Sequence, residues 1–424
     1  MSARVTRLRV TLPGRTVGHL EHHRDGRVVW TPDEAWAKEN VPRLSAHVPL
    51  RSTLVEAGGT MPAWFENLLP EYDPHAPKKL RQYLCARLGI RETQSFRLLA
   101  ALGHDLPGGV EARPVDTSDS GPELEAPSAT DDRLRFSSVA GMQLKFSMSL
   151  VRSGFVLGAT KGARQYLVKL PGAFSGSGGE ASLVEVERAT MAWTRASGLE
   201  VPAHEIVSTK LLSGIDPGWV PEDGTAFAIE RFDRSPSGTK LHVEDLCQAL
   251  GLAPRHKYGV LERGTFGAGS LVAFVADQAG DEEAREATRR LGFVLASGNN
   301  DAHLKNWAFV WPAGAPRPKL SPCYDQVATV AWREHFGWAL AGGPTLPLAF
   351  GSTHRFRLLD DEAVAHAAKA ARASWFRDEL LEGITRARSA YASVGSVVPA
   401  PMHEGLVEHW ASTPLLAKLG DLRR

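Results

Sequence analysis

Gly298-Asn-Asn-Asp-Ala-His-Leu-Lys-Asn-Trp307 is the stretch on which the reading of this chain turns. Between Asp301 and Asn306 it sets out a carboxylate, an imidazole, an ammonium and an amide. An apolar helical run, Leu291-Gly-Phe-Val-Leu-Ala296, leads into it, and a strand-like run, Trp307-Ala-Phe-Val310, leads out. A dense polar loop between two buried elements is where functional side chains gather on a rigid scaffold. Asp and Asn also cap turns well, so the loop by itself leaves chemistry and turn capping evenly balanced.

The spacing adds to this. Asp301 and Asn306 stand as D-x-x-x-x-N, the separation of base and metal ligand in protein-kinase catalytic loops. There the carboxylate accepts the proton of an attacking hydroxyl, and the amide oxygen helps hold Mg²⁺ against the ATP phosphates. A second metal ligand belongs downstream on another turn. Leu320-Ser-Pro-Cys-Tyr-Asp325 supplies Asp325 for that place.

Composition bounds the alternatives. At 424 residues the chain can hold two or three domains. A hydrophobic fraction of 43% and a charged fraction of 23% are ordinary for a globular protein. The net charge of +1 argues against bulk electrostatic binding of nucleic acid, though a local basic patch stays open. Cys85, Cys247 and Cys323 are far apart with no C-x-x-C, which disfavours a disulfide framework or thiolate zinc site and fits a reducing cytoplasm. No apolar run reaches the length of a membrane span, and the first residues lack a signal-peptide core.

Along the chain, Leu8–Leu12 alternates as a strand. Pro13-Gly14 turns it, Thr16–Leu20 returns, and Val28–Trp30 follows a second turn, so a small sheet opens the chain. Met61–Pro70 is rich in aromatic and apolar residues and reads as core. Leu80–Leu88 has helical spacing and stops at Gly89. Residues 116–132 shift to Ser, Pro, Gly, Thr and acids, as in a linker, and a domain boundary is placed there. Phe136 to Leu150 sets small residues between strand-like ends. Either a hairpin turn or a close-approach ligand loop fits it. Gln165–Leu170 alternates as a strand with Lys169 on the face opposite Tyr166, Val168 and Leu170. A solvated edge lysine or a phosphate-binding one fits that place. A helix over 180–197 then carries Glu187, either a surface residue or the partner of such a lysine. Thr225–Arg234 is an apolar strand running into alternating charge. It is a nucleotide-reading hinge at Glu230 and Phe232, or a strand end with a surface ion-pair cluster. Beyond residue 238 the pattern is mostly helical: 243–250, 269–280, 282–297, and amphipathic outer helices over 363–391.

The order of these signals resembles one family, the HipA-like serine/threonine kinases, toxins of bacterial toxin–antitoxin pairs. Ser138-Val-Ala-Gly-Met-Gln-Leu-Lys145, Val168-Lys-Leu-Pro171, Glu230-Arg-Phe-Asp-Arg234, Glu244-Asp-Leu-Cys-Gln248, Gly298 to Asn306 and Pro322-Cys-Tyr-Asp325 carry the likeness. Leu12-Pro-Gly14 with Val17-Gly18, Trp64 to Pro70, and Gly103-His-Asp105 extend it to the N-terminal part. The resemblance implies a bilobal α+β kinase-like fold, with an N-terminal subdomain over 1–115, an N-lobe over 133–235 and a helical C-lobe over 236–424. It implies a phosphate loop at Val139, Ala140, Gly141, Met142, Gln143 and Lys145, and Lys169 on the ATP phosphates. Backbone groups of Glu230 and Phe232 would meet adenine. Asp301 would be the base, and Lys305 would stand near the γ-phosphate. His303 would shape the nucleotide side of the loop, and Asn306 and Asp325 would hold Mg²⁺. Ser138 matches the family's autophosphorylated serine, with Ser137 a competitor. Ala140 stands where some relatives have a second such serine. The family's substrates are aminoacyl-tRNA synthetases. Its partner is a small helix-turn-helix antitoxin through which DNA is reached indirectly. A nucleotide-binding pseudokinase acting as a transcriptional co-regulator, and a small-molecule kinase on the same plan, remain the rival expectations.

Overall fold

The computed structural model describes the chain except for residues 1–5, 40–42, 73–79, 116–143, 159, 161, 171–181, 236, 238, 313, 335–342 and 421–424. The chain divides into two compact units. The first is Met1–Leu170, Val207–Pro254 and Phe309–Pro316; the second is Pro171–Ile206, Arg255–Ala308 and Arg317–Arg424. The linker-like stretch 116–132 lies outside the described residues.

The first unit opens with β1 (Arg7–Leu12), β2 (Arg15–His22), β3 (Val28–Pro32), β4 (Leu54–Glu56) and β5 (Glu111–Pro114), ordered β4-β3-β2-β1-β5 and antiparallel throughout. The alternation read from β1 is seen directly: Leu8, Val10 and Leu12 are buried while Arg9 faces out. Trp64, Phe65, Leu68 and Leu69 are wholly or almost wholly buried, as a core segment requires. That segment is clamped by Arg81, itself 1% exposed, on the helix Leu80–Leu88. Its guanidinium donates to the Pro70 carbonyl at 2.9 Å, to Ser95 Oγ at 2.7 Å and to Glu66 Oε1 at 3.2 Å.

A second sheet holds β6 (Lys145–Val151), β7 (Gly154–Leu157), β8 (Gln165–Lys169), β9 (His204–Ser208), β10 (Leu212–Ser213) and β11 (Thr225–Glu230), in the order β10-β7-β6-β8-β11-β9. One apolar core runs from Leu8, Val10 and Trp30 through Phe146, Val168 and Ala228, so both sheets share it. The stretch 243–250, expected as helix throughout, is helical only from Leu246; His242–Asp245 is a strand. Asp245 caps the helix: its Oδ1 accepts from Gln248 N at 2.9 Å, and Gln248 Oε1 accepts from Asp245 N at 3.0 Å. Such a reciprocal pair stops a helix from extending backwards.

The second unit is mostly helical. The helix Leu183–Ala196 buries Trp193, and the helices Ala268–Ala279 and Asp281–Ser297 fall where sequence periodicity put them. Helix Phe376–Val394, expected as an outer helix, packs closely on Asp281–Ser297. Two glycines permit it: a Cβ on Gly292 would meet the Leu380 carbonyl oxygen at 2.4 Å, and one on Gly383 the Arg289 oxygen at 2.2 Å. Trp193, Phe293, Tyr391 and Trp410 form an aromatic cluster beside them, edge-on or tilted. Trp193 donates to the Ala387 carbonyl and Trp410 to that of Ala296, so neither indole N–H is left unsatisfied. Among the described residues no helix is long and apolar enough to cross a membrane.

Candidate active site

Helix Asp281–Ser297 ends because Gly298 turns left-handed, with φ of 61°, and a Cβ there would run into Val330 at 2.4 Å. The polar loop begins at that corner and is held from beneath by Asn299, which is wholly buried. Asn299 Oδ1 accepts from Asp301 N at 3.0 Å, and its amide donates to Gln326 Oε1 at 3.4 Å. Thr329 Oγ1 accepts from Asn300 N at 2.9 Å and donates to the Gly298 carbonyl at 2.9 Å.

The D-x-x-x-x-N spacing closes on itself. Asn306 Nδ2 donates to the Asp301 carbonyl at 2.8 Å, and His303 N donates to the same oxygen at 2.7 Å. The Asp301 side chain is 49% exposed, with His303 Nε2 at 3.9 Å. Tyr258 donates its phenol hydroxyl to Asp301 Oδ1 at 2.5 Å. His303 and Lys305 are buried, and the Lys305 carbonyl accepts from Tyr324 Oη at 2.9 Å. The loop is thus pinned by backbone and amide contacts while one carboxylate stays open to solvent.

The same helix holds the segment bearing the second acid. Glu283 Oε2 accepts from Leu320 N at 2.9 Å, and Arg290 Nη1 donates to the Ser321 carbonyl at 2.6 Å. The chain then reaches Asp325, whose φ is 53°. Among the described residues only Asp325 and Arg372 are non-glycine with positive φ. Residues kept in a sparsely populated conformation concentrate at functional sites. Asn306 offers its amide oxygen once its nitrogen is engaged, and Asp325 offers a carboxylate. An oxygen-only set of this kind suits a hard cation such as Mg²⁺. Among the described residues there is no cluster of three or more His, Cys, Asp or Glu that would form a full protein cage. Mg²⁺ is usually held by one or two protein oxygens together with substrate phosphates, so the residues present fit it.

Lys145, Lys169, Glu230 and Phe232, expected on the nucleotide side, lie in the first unit. Lys169 is 2% exposed at the end of a central strand, all five residues of which are buried, so the edge-lysine reading fails. It stands opposite Lys145 on β6 and Phe227 on β11, with its Nζ 5.6 Å from the Phe227 ring centre. Both lysines are buried, paired in register on adjacent strands, and held by contacts within the protein. Glu230 ends β11 opposite Tyr166, and Arg231 N donates to the Gln165 carbonyl at 2.8 Å. Glu187 is almost fully buried on its helix, which belongs to the second unit. Ser137, Ser138, Val139, Ala140, Gly141, Met142 and Gln143 lie outside the described residues.

The charges after Glu230 form a buried network, correcting the surface-cluster reading. Arg231, Asp233, Arg234 and Asp105 are each 7% exposed. Asp233 accepts from Arg231 Nε and Nη2, from Arg234 Nη1 and from Gly108 N, all within 2.8–2.9 Å. Asp105 Oδ1 accepts from Arg231 Nη1 at 3.3 Å and Arg234 Nη2 at 2.9 Å. Burial alone would push both carboxyls up. The two guanidiniums outweigh it and hold both below the usual carboxylate range. Sequence reasoning missed this network and also missed Tyr258, Asn299 and Thr329. Tyr258 and Thr329 act across long sequence separations, whereas Asn299 acts over two positions, a local turn contact of the kind asparagine offers.

Buried lysines on a curled sheet in one unit, and a D-x-x-x-x-N loop on a helical scaffold in the other, define a kinase-like α+β fold. The comparisons with known proteins name the family. Residues 8–113 match the family described as HipA N-terminal domain, and residues 137–390 that described as HipA-like C-terminal domain. The chain belongs to the HipA-like family. Y4dM of Sinorhizobium fredii, which bears a provisional kinase name, is 35% identical over 380 residues, 87% of this chain and 86% of that protein. The serine/threonine-protein kinase toxin HipA of Shewanella oneidensis is 26% identical over 329 residues, 69% of this chain and 68% of its own. A solved chain from the Shewanella oneidensis MR-1 complex of HipA, HipB and operator DNA superposes with a TM-score of 0.67 at 22% identity, covering 98% of each chain. The fold expected from the order of motifs is therefore the fold observed.

Proposed function

We propose that this protein is an ATP- and Mg²⁺-dependent protein serine/threonine kinase, the toxin of a HipA-type pair. Asp301 accepts the proton of the acceptor hydroxyl, help of a kind worth roughly 10²–10⁴-fold. Lys169 and Lys145 bind phosphate oxygens, and Lys305 stands near the γ-phosphate. Glu230 and Phe232 offer backbone groups to adenine, with His303 shaping the nucleotide side of the loop. Asn306 and Asp325 hold the metal, whose contribution when bound is to offset negative charge on the phosphates. Val139 to Gln143 cover those phosphates, and phosphorylation of Ser138 withdraws that loop. Residues 1–115, 133–235 and 236–424 act as N-terminal subdomain, N-lobe and C-lobe.

The substrate class is a translation component such as an aminoacyl-tRNA synthetase. The partner is a HipB-like helix-turn-helix antitoxin through which DNA is met indirectly, in the cytoplasm. Family membership and the partner in the neighbouring complex support this reading. The observation that carries the catalytic part is the loop itself: Asn306 closes onto the Asp301 carbonyl while the Asp301 carboxylate stays half exposed. Incubation with bacterial lysate and γ-labelled ATP, followed by identification of the labelled protein, tests it. Label should appear with the wild type and vanish with Asp301→Asn while thermal unfolding is unchanged. Label that survives in Asp301→Asn removes Asp301 from the mechanism.

A further inference from the structure

Tyr258 stands in the loop before helix Ala268–Ala279, 43 residues from Asp301 in sequence, and its hydroxyl meets Asp301 Oδ1 at 2.5 Å. The ring does not reach that place by chance flexibility of a surface residue, although it is 39% exposed. Leu304 N donates to the Lys257 carbonyl at 2.8 Å, stapling the residue before Tyr258 to the polar loop. The ring meets His303 edge-on, with centres 5.3 Å apart at 79°. Lys257 Nζ lies 5.5 Å from the ring centre, within cation–π range. Behind it, Gly259 N donates to His256 O and Phe266 N donates to Gly259 O, each at 2.8 Å, closing the loop on itself.

The Asp301 backbone is already secured by Asn299, His303 and Asn306. The orientation of its half-exposed side chain matters as well, because a base is effective only when held within hydrogen-bond reach of the proton it takes. His303 Nε2, at 3.9 Å, is beyond hydrogen-bond distance. We infer that Tyr258 is a positioning residue: its phenol holds Asp301 Oδ1 in one orientation and so presents Oδ2 to the acceptor hydroxyl. The role rests on the reading of Asp301 as the base.

Tyr258→Phe deletes the hydroxyl and keeps the ring against His303 and Lys257. With dephosphorylated casein as acceptor, kcat should fall about five- to tenfold, the loss expected for one hydrogen bond, while KM for ATP is unchanged. Independently of activity, the Hα–Hβ couplings of Asp301 should report a single rotamer in the wild-type protein and averaging in Tyr258→Phe. A kcat within twofold of wild type, or a rise in kcat, overturns the role; a rise would make the phenol an obstruction. Wild-type protein no more active than Asp301→Asn would show that casein is no acceptor and would leave the base reading to the lysate test. The couplings would then decide alone, and one rotamer in both proteins would end the proposal.

Discussion

Replacing Asp233 by Asn probes the buried charge network that follows strand β11. The four buried groups, Arg231, Arg234, Asp105 and Asp233, sum to zero formal charge. The substitution leaves a buried excess of one positive charge among groups each 7% exposed. It also turns an amide toward donors, because Asp233 accepts four hydrogen bonds, three of them from guanidiniums. Breaking a buried ion pair from one side costs roughly 3–5 kcal/mol, most of it the penalty for the stranded partner. Asp105→Asn should cost less, since Asp105 accepts only two bonds from the pair. The assay is urea unfolding at neutral pH, with midpoints and slopes compared across wild type and the two variants. The pH dependence is a second reading of the same network. Both carboxyls lie below their ordinary values, so their stabilising effect is present above about pH 4 and lost as pH falls through the native values. Wild type should therefore lose stability on acidification more steeply than Asp233→Asn. A variant within about 1 kcal/mol of wild type, well short of the buried-pair cost, would refute the claim that this network is held together by charge.

Glu244 tests the opposite sign. Burial pushes its carboxyl up to about 7, against the pull of Trp64 Nε1, Ser45 and the Ala46 amide. A raised native pKa favours the protonated form, so stability is fullest below about 4.5 and falls as pH rises towards 7, by an amount on the order of 3 kcal/mol. Glu244→Gln should flatten unfolding midpoints between pH 5 and 8; parallel profiles for the two proteins would refute the reasoning. Gly383→Ala should separate the two central helices of the second unit, because its Cβ would sit 2.2 Å from the Arg289 carbonyl oxygen, and a loss of about 1–3 kcal/mol is expected for such overpacking. Thermal melts of the variant check it, and an unchanged melting temperature would mean that the helices part at little cost. Ser138→Ala should remove most autophosphorylation, read by phosphopeptide mapping, and label persisting on Ser137 would move the assignment there.

Local chemistry was legible without coordinates. The hairpin at Pro13-Gly14, the helix stop at Gly89 and the two helices before the polar loop all follow from periodicity and from glycine or proline at the turns. The D-x-x-x-x-N spacing was likewise visible, because the contact it makes, Asn306 to the Asp301 carbonyl, spans only five residues. Where the reading failed, either a local cap was overlooked or the deciding interaction came from far away. Residues 243–245 look helical by pattern, yet the capping pair at Asp245 and Gln248 begins the helix three residues later. For Lys169 the sequence left an edge place and an interior one open, and only the sheet order decided it: the strand is flanked on both sides and buried throughout.

Residue identity and spacing along the chain therefore determined which groups could do chemistry and which family of folds would carry them. Tertiary structure alone decided their surroundings. It drew Asp105 to Arg231 across 126 positions and Tyr258 to Asp301 across 43, and it made an ordinary run of surface-like charges into a buried, mutually compensated cluster. The physical reason is that the strength of a charge or hydrogen bond depends on how much water is excluded around it. That exclusion is a property of packing between distant segments, and no local pattern of residues encodes it.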